Sequence, residues 1–127
     1  MEESSKQLLL KDLCERLPYN VICQVEFKEG GKYNSKVMLL SGIFTDKAYF
    51  TTKGGSIYSN EYKPYLFPLS SMTDEQKQEY QHITERWMYD SSYSISDSID
   101  WLNVHHFDYR GLIEKGLAID ATGLNIY

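Results

Sequence analysis

Long apolar runs are missing from this sequence. Its opening, MEESSKQLLLKDLCERL, is acidic and polar, and the longest apolar run there is Leu8-Leu9-Leu10. A signal peptide or membrane span needs far more, so neither is expected; the chain reads as cytoplasmic, with no membrane partner. Cysteine is scarce. Cys14 and Cys23 are the only two, lack CxxC spacing, and read as reduced thiols filling core positions. There is no P-loop, no GxGxxG and no GxSxG elbow, so no cofactor is implied. The glycine pairs Gly30-Gly31 and Gly54-Gly55 are explained by hairpin turns. No internal repeat or low-complexity tract is visible.

A positive excess is lacking as well. The formal net charge is −5, and it is unevenly placed. Residues 1–72 hold nine Lys and Arg against eight Asp and Glu, while residues 73–100 hold seven acids against Lys77 and Arg86. A protein that grips phosphate backbones normally has the opposite sign, so nucleic acid is disfavoured as a partner.

Tyrosine is what the chain has in plenty: 11 of 127 residues. Tyrosine buries a ring while keeping its hydroxyl wet, which suits half-buried sheet faces and protein interfaces. Tyr49, Tyr58, Tyr62 and Tyr65 lie in or beside the later predicted strands, and alternation cannot bury them all in one small core. Together with Phe67 they are expected to form an exposed interaction patch.

A length of 127 residues sets one domain over 1–127. Residues 1–18 read as an amphipathic helix, with Ser4 and Gln7 at capping-box spacing, Leu9, Leu10, Leu13 and Leu17 on one face, and Pro18 as the stop. From Tyr19 the period changes to two. Val21, Cys23, Val25 and Phe27 alternate with Ile22, Gln24, Glu26 and Lys28, KEGGK turns, YNSKVMLLSGIF returns with Gly42 as a candidate bulge, and TDK and KGG turn into AYFTT and SIYS. EYKPYLFPLSSM, with Pro64 and Pro68, reads as an extended crossing segment, not a central strand, and closes the 19–68 region.

Residues 69–127 read as a helical unit and tail. Thr73 and Gln76 have capping-box spacing before a helix with Tyr80, Ile83 and Trp87 on one face, and YDSSYSIS is a loop. SDSIDWLNVHHF reads as a further helix with Ile99 and Leu102 inward, DYRGLIEKG as a turn or short helix ended by Gly116, and LAID as a possible edge strand. The expected class is α+β. It is a small antiparallel β-meander or SH3-like partial barrel, with an N-terminal helix and a C-terminal two- to three-helix unit.

The densest chemistry is DWLNVHHFDYRGL, residues 100–112. His105 and His106 point about 100° apart on a helix, whereas a helical metal site wants i, i+4 spacing, so no metal site is expected. His106, Asp108 and Arg110 are the candidates for catalysis, if they meet beyond a helix end. A structural corner explains more of the stretch: Trp101, His105, His106, Phe107, Asp108, Tyr109 and Arg110. Histidine or arginine can satisfy helix-end carbonyls, and Arg110 can pair Asp108, Asp100 or carbonyls.

Three stretches carry a resemblance: LLLKDLCERLPYNV at residues 8–21, KPYLFPLSSMT at 63–73 and DWLNVHHFDYRGLIEKGLA at 100–118. They resemble a family of short uncharacterised proteins of gut anaerobic bacteria, their prophages and mobile elements, and span most of the chain. Phe67 departs from the family's usual arginine, and the tail departs from its usual APEGMY. The resemblance implies a shared fold and a mobile-element origin, and no activity. The function expected is therefore a non-enzymatic accessory or interaction protein, binding another protein or itself as a homodimer. The alternative is a small hydrolase or metal-dependent enzyme centred on His106, Asp108 and Arg110.

Overall fold

The computed structural model describes residues 3–44, 47–89 and 95–127. Helix α1 spans Glu3–Arg16 and passes into a 3-10 turn at Leu17–Tyr19. Ser4 therefore lies inside the first turn and does not cap it. Pro18 belongs to the 3-10 turn, and Asn20 in the left-handed region (φ 59°) turns the chain into the sheet.

Strands β1 (Ile22–Glu29) and β2 (Lys32–Ile43) form a hairpin in which Glu29 pairs Lys32. Its two turn residues, Gly30 and Gly31, have φ of 60° and 81°, values that favour glycine. Strands β3 (Ala48–Thr52) and β4 (Gly55–Ser59) complete the meander as expected, and the β2–β3 register shifts between Leu40 and Gly42. The bulge predicted at Gly42 is present. Turn residues 45 and 46 lie outside the described residues.

The expected crossing segment is instead a strand, β5 (Glu61–Pro68), placed inside the sheet beside β1. Pro64 is accommodated because residues 61–64 pair with β1 alone. From Tyr65 onward β5 changes partners and pairs in parallel with β6 (Phe107–Asp108) and β7 (Ile119–Asp120). The sheet is mostly antiparallel, has seven strands and runs β4-β3-β2-β1-β5-β6, with β7 also on β5.

After a 3-10 turn at Leu69–Ser71 comes α2, Asp74–Tyr89. Its predicted capping box is complete: Gln76 N donates to Thr73 Oγ1 (3.1 Å) and Thr73 N donates to Gln76 Oε1 (2.9 Å). The loop expected over 89–96 gives its first residue to α2 and its last two to α3, and residues 90–94 and the Trp87 side chain lie outside the described residues. Helix α3 is Ile95–Val104, beginning one residue before the expected stretch and ending three residues before it. Its buried face is Ser98, Trp101, Leu102 and Asn103, whereas Ile99, expected inward, is 36% exposed.

Two apolar clusters result. The larger packs Leu9 and Leu13 of α1 against Val21, Cys23, Val25, Met38, Leu40 and Phe50 on one face of the sheet. The smaller gathers Trp101, Leu102 and Phe107 with Phe67, Tyr80 and Ile83. Cys23 fills the core as expected, but Cys14 faces solvent. Among the described residues no helix is long and apolar enough to cross a membrane.

Candidate functional site

The corner is built where α1 meets the turn after β6. Asp12 and Arg16 are one helical turn apart and both fully buried, with Arg16 Nε donating to Asp12 Oδ2 at 2.7 Å. Arg16 Nη2 donates to the Phe107 carbonyl at 2.6 Å, so α1 is bonded directly to β6. Arg110 reaches the other oxygen of Asp12 (2.8 Å) and Glu15 (2.9 Å). An acid partner for Arg110 was expected; the acids chosen are Asp12 and Glu15, not Asp108 or Asp100. Burial works against the charge on Arg110, but its bonds to Glu15 and Asp12 outweigh that and raise its pKa. The same Arg110 bond holds Glu15 below the usual carboxylate range.

Tyr109 is clasped between the two guanidinium groups, 4.9 Å from Arg16 and 4.8 Å from Arg110. Its hydroxyl lies 2.9 Å from Asn103 Oδ1 and 3.1 Å from Glu15 Oε2. Asp108 is buried and spends its carboxylate on the following turn, accepting from Leu112 N and Ile113 N at 2.9 Å each. Trp101 stacks on Phe107 and donates its indole N–H to Glu79 at 3.0 Å. His105 packs on Trp101, with ring centroids 4.3 Å apart.

His106 faces elsewhere. It takes the left-handed conformation (φ 61°) that ends α3, and its ring stacks on Tyr127 at 3.6 Å. Its Nδ1 is buried without a hydrogen-bond partner among the described residues. Burial, then the charges of Arg16 and His105, pull its pKa down to about 4. Open grooves of about 670 and 420 Å3 flank the stack.

His106, Asp108 and Arg110 thus bond to three different sets of partners: a ring, a backbone turn and a pair of α1 acids. No group of three or more metal-ligating side chains lies together among the described residues. Of the expected corner residues, Trp101, His105 and Phe107 pack on one another and Tyr109 and Arg110 join the acids of α1, while His106 and Asp108 bond elsewhere.

Sequence reasoning missed Asp12, Glu15, Arg16 and Tyr127. Asp12 and Arg16 fall on the same i, i+3, i+4, i+7 stripe as Leu9 and Leu13, and that polar pair on an apolar face was the available signal. Tyr127 gave none beyond one aromatic in a polar tail.

The five patch residues divide. Tyr65 is 7% exposed, Tyr62 packs inward on Phe50 (5.2 Å), and Phe67 joins the smaller core beside Phe107 and Tyr127. These three do not belong to an exposed patch, because β5 turns Tyr62 to the core side and is itself covered after Pro64. Tyr49 and Tyr58 do stand together, paired across β3 and β4 on the sheet's outer face with rings 4.9 Å apart. Phe44 completes the cluster 5.7 Å from Tyr58. No family model, curated protein or solved structure matches the chain.

Proposed function

We propose that this chain is a non-enzymatic protein-interaction module, of the phage or mobile-element kind that its resemblance implies. Its contact surface is the outer face of β2, β3 and β4, and its partner is another protein or a second copy. One observation carries the reading: the cluster of Phe44, Tyr49 and Tyr58 stands uncovered, with Phe44 49% and Tyr58 54% exposed. Lys47 holds its ammonium 5.0 Å over the Tyr58 ring. Clustered exposed aromatics on one side of a small domain characterise contact surfaces.

A photo-crosslinking residue placed at position 58 tests this, with one at Glu114 as control. Cross-links to a partner are expected at 58 and not at 114, and sedimentation of the purified chain separates self-association from a foreign partner. Phe44→Ser with Tyr58→Ser should weaken the cross-linked complex at unchanged melting temperature. Equal cross-linking at both positions, or an unaffected double variant, would remove the reading.

A further inference from the structure

We propose that the gap between β4 and the far end of β1 is a docking slot for one extended strand of a partner protein, along which apolar and polar side chains alternate, with a basic residue at the end beside Glu26 and Glu61. This rests on the interaction reading above and names the form the partner takes.

Both walls of the gap are unpaired backbone. β4 ends the sheet and has β3 as its one neighbour among the described residues. Beyond Glu26, residues Phe27 to Glu29 pair with β2 alone, since β5 meets β1 only over residues 23–26. Edge strands are normally blunted by lysine, proline or a bulge. β4, with the sequence GSIYS, has none of these. At the closed end, Ser59 Oγ donates to the Glu26 carbonyl at 2.6 Å and pins the walls together. Past that clasp lies a groove of about 550 Å3 that includes Phe27, Lys28, Tyr33, Ile57 and Tyr58. An extended chain is the ligand that supplies backbone partners to a free strand edge.

The side chains set its composition. Phe27 and Ile57 are half-buried on the core side of the groove. On the outer side, Glu26 and Glu61 stand directly opposite each other across β1 and β5, both exposed. Like charges so placed repel unless a cation joins them. The nearby Lys28 and Lys36 lie over the rings of Tyr33 and Phe27 instead. Lys6 and Lys63 border the carboxylates without forming an ion pair. Successive side chains of a strand point to opposite faces, so a docked strand presents apolar residues inward in alternation with polar ones outward, and the outward residue beside Glu26 and Glu61 is basic.

The test uses the full chain, isotope-labelled, with three capped nonapeptides. One alternates valine and lysine, the second alternates valine and glutamate, and the third is the lysine peptide N-methylated at every other residue. The lysine peptide should shift and protect the amides of residues 27–29 and 55–59. The glutamate and N-methylated peptides should bind at least about tenfold more weakly, one lacking the charge and the other the backbone donors. Ile57→Lys should abolish protection, and Glu26→Gln with Glu61→Gln should erase the preference for lysine while keeping edge protection. Shifts on the acidic helix α2 instead of the two edges, or equal binding of the N-methylated peptide, would overturn the slot. Cross-links at position 58 with no edge protection by any peptide sink the slot and leave the aromatic contact face standing.

Discussion

Arg16 is itself fully buried and has one nitrogen, Nη1, without a hydrogen-bond partner among the described residues. Its removal leaves the buried Asp12 carboxylate with Arg110 alone. Arg16→Ala should cost about 3–5 kcal/mol, the range for breaking a buried ion pair. Arg110→Ala should cost less, about 1–3 kcal/mol, because Asp12 keeps Arg16. Urea unfolding of the two variants checks the order, and an Arg110 variant as damaged as the Arg16 one would contradict it. His106 gives a pH signature. Its folded pKa is pulled down to about 4, below the ordinary histidine value, so acid protonates the unfolded chain first. Stability should be unaffected by this group above pH ~6.5, fall as the pH drops toward 4, and level off below that. His106→Asn, which tolerates the same left-handed backbone, should show a shallower loss of melting temperature over that window. Identical pH profiles for the two proteins would exclude His106 as the source.

At the scale of elements, the junction of β1 and β5 depends on the tail. Their register runs from Glu26 opposite Glu61 to Cys23 opposite Pro64, which would bring Ile22 opposite Tyr65 next. The Tyr127 phenol occupies that position: it accepts from Ile22 N (2.8 Å) and donates to the Tyr65 carbonyl (2.8 Å). One side chain thus relays a ladder bond where β5 leaves β1 for β6 and β7. Tyr127→Phe keeps the stack on His106 but leaves both backbone groups unmatched, so a loss of about 1–3 kcal/mol is expected. Hydrogen exchange should speed up at the Ile22 amide and not at residues 36–39 of β2. Uniform acceleration across the sheet would mean the phenol has no local role. The capping box of α2 and the glycine turn of the first hairpin were legible because local chemistry decides them within a few residues. The strand β5 was not. A proline in a strand is acceptable only if the neighbour on its nitrogen side is missing, and that is a property of the sheet.

In the whole molecule, the two apolar clusters are joined by polar bonds. Arg16 belongs to the helix that covers the larger one, and its bond to the Phe107 carbonyl reaches the smaller. Coupling of this kind predicts one cooperative transition. Far-ultraviolet circular dichroism and aromatic near-ultraviolet signals should coincide on heating. Two separated transitions would show that the clusters fold independently. Arg16→Ala should be the substitution that splits them, if any does.

The α+β class, the antiparallel meander, the bulge at Gly42 and most element boundaries follow from local pattern in the sequence, since periodicity, turn glycines and caps act over short spans. Arg110 was legible as a paired arginine because it stands alone among basic residues between Arg86 and Lys115. Its partners were not, being 95 and 98 residues away on α1. Tertiary structure also sorted the tyrosines. Composition required some of them to be exposed, but only the path of β5 beside β1 and then between β6 and β7 buried Tyr65, turned Tyr62 inward and left Tyr58 in water. Burial of a ring depends on what lies across from it, and contacts that distant leave no periodic trace in the chain.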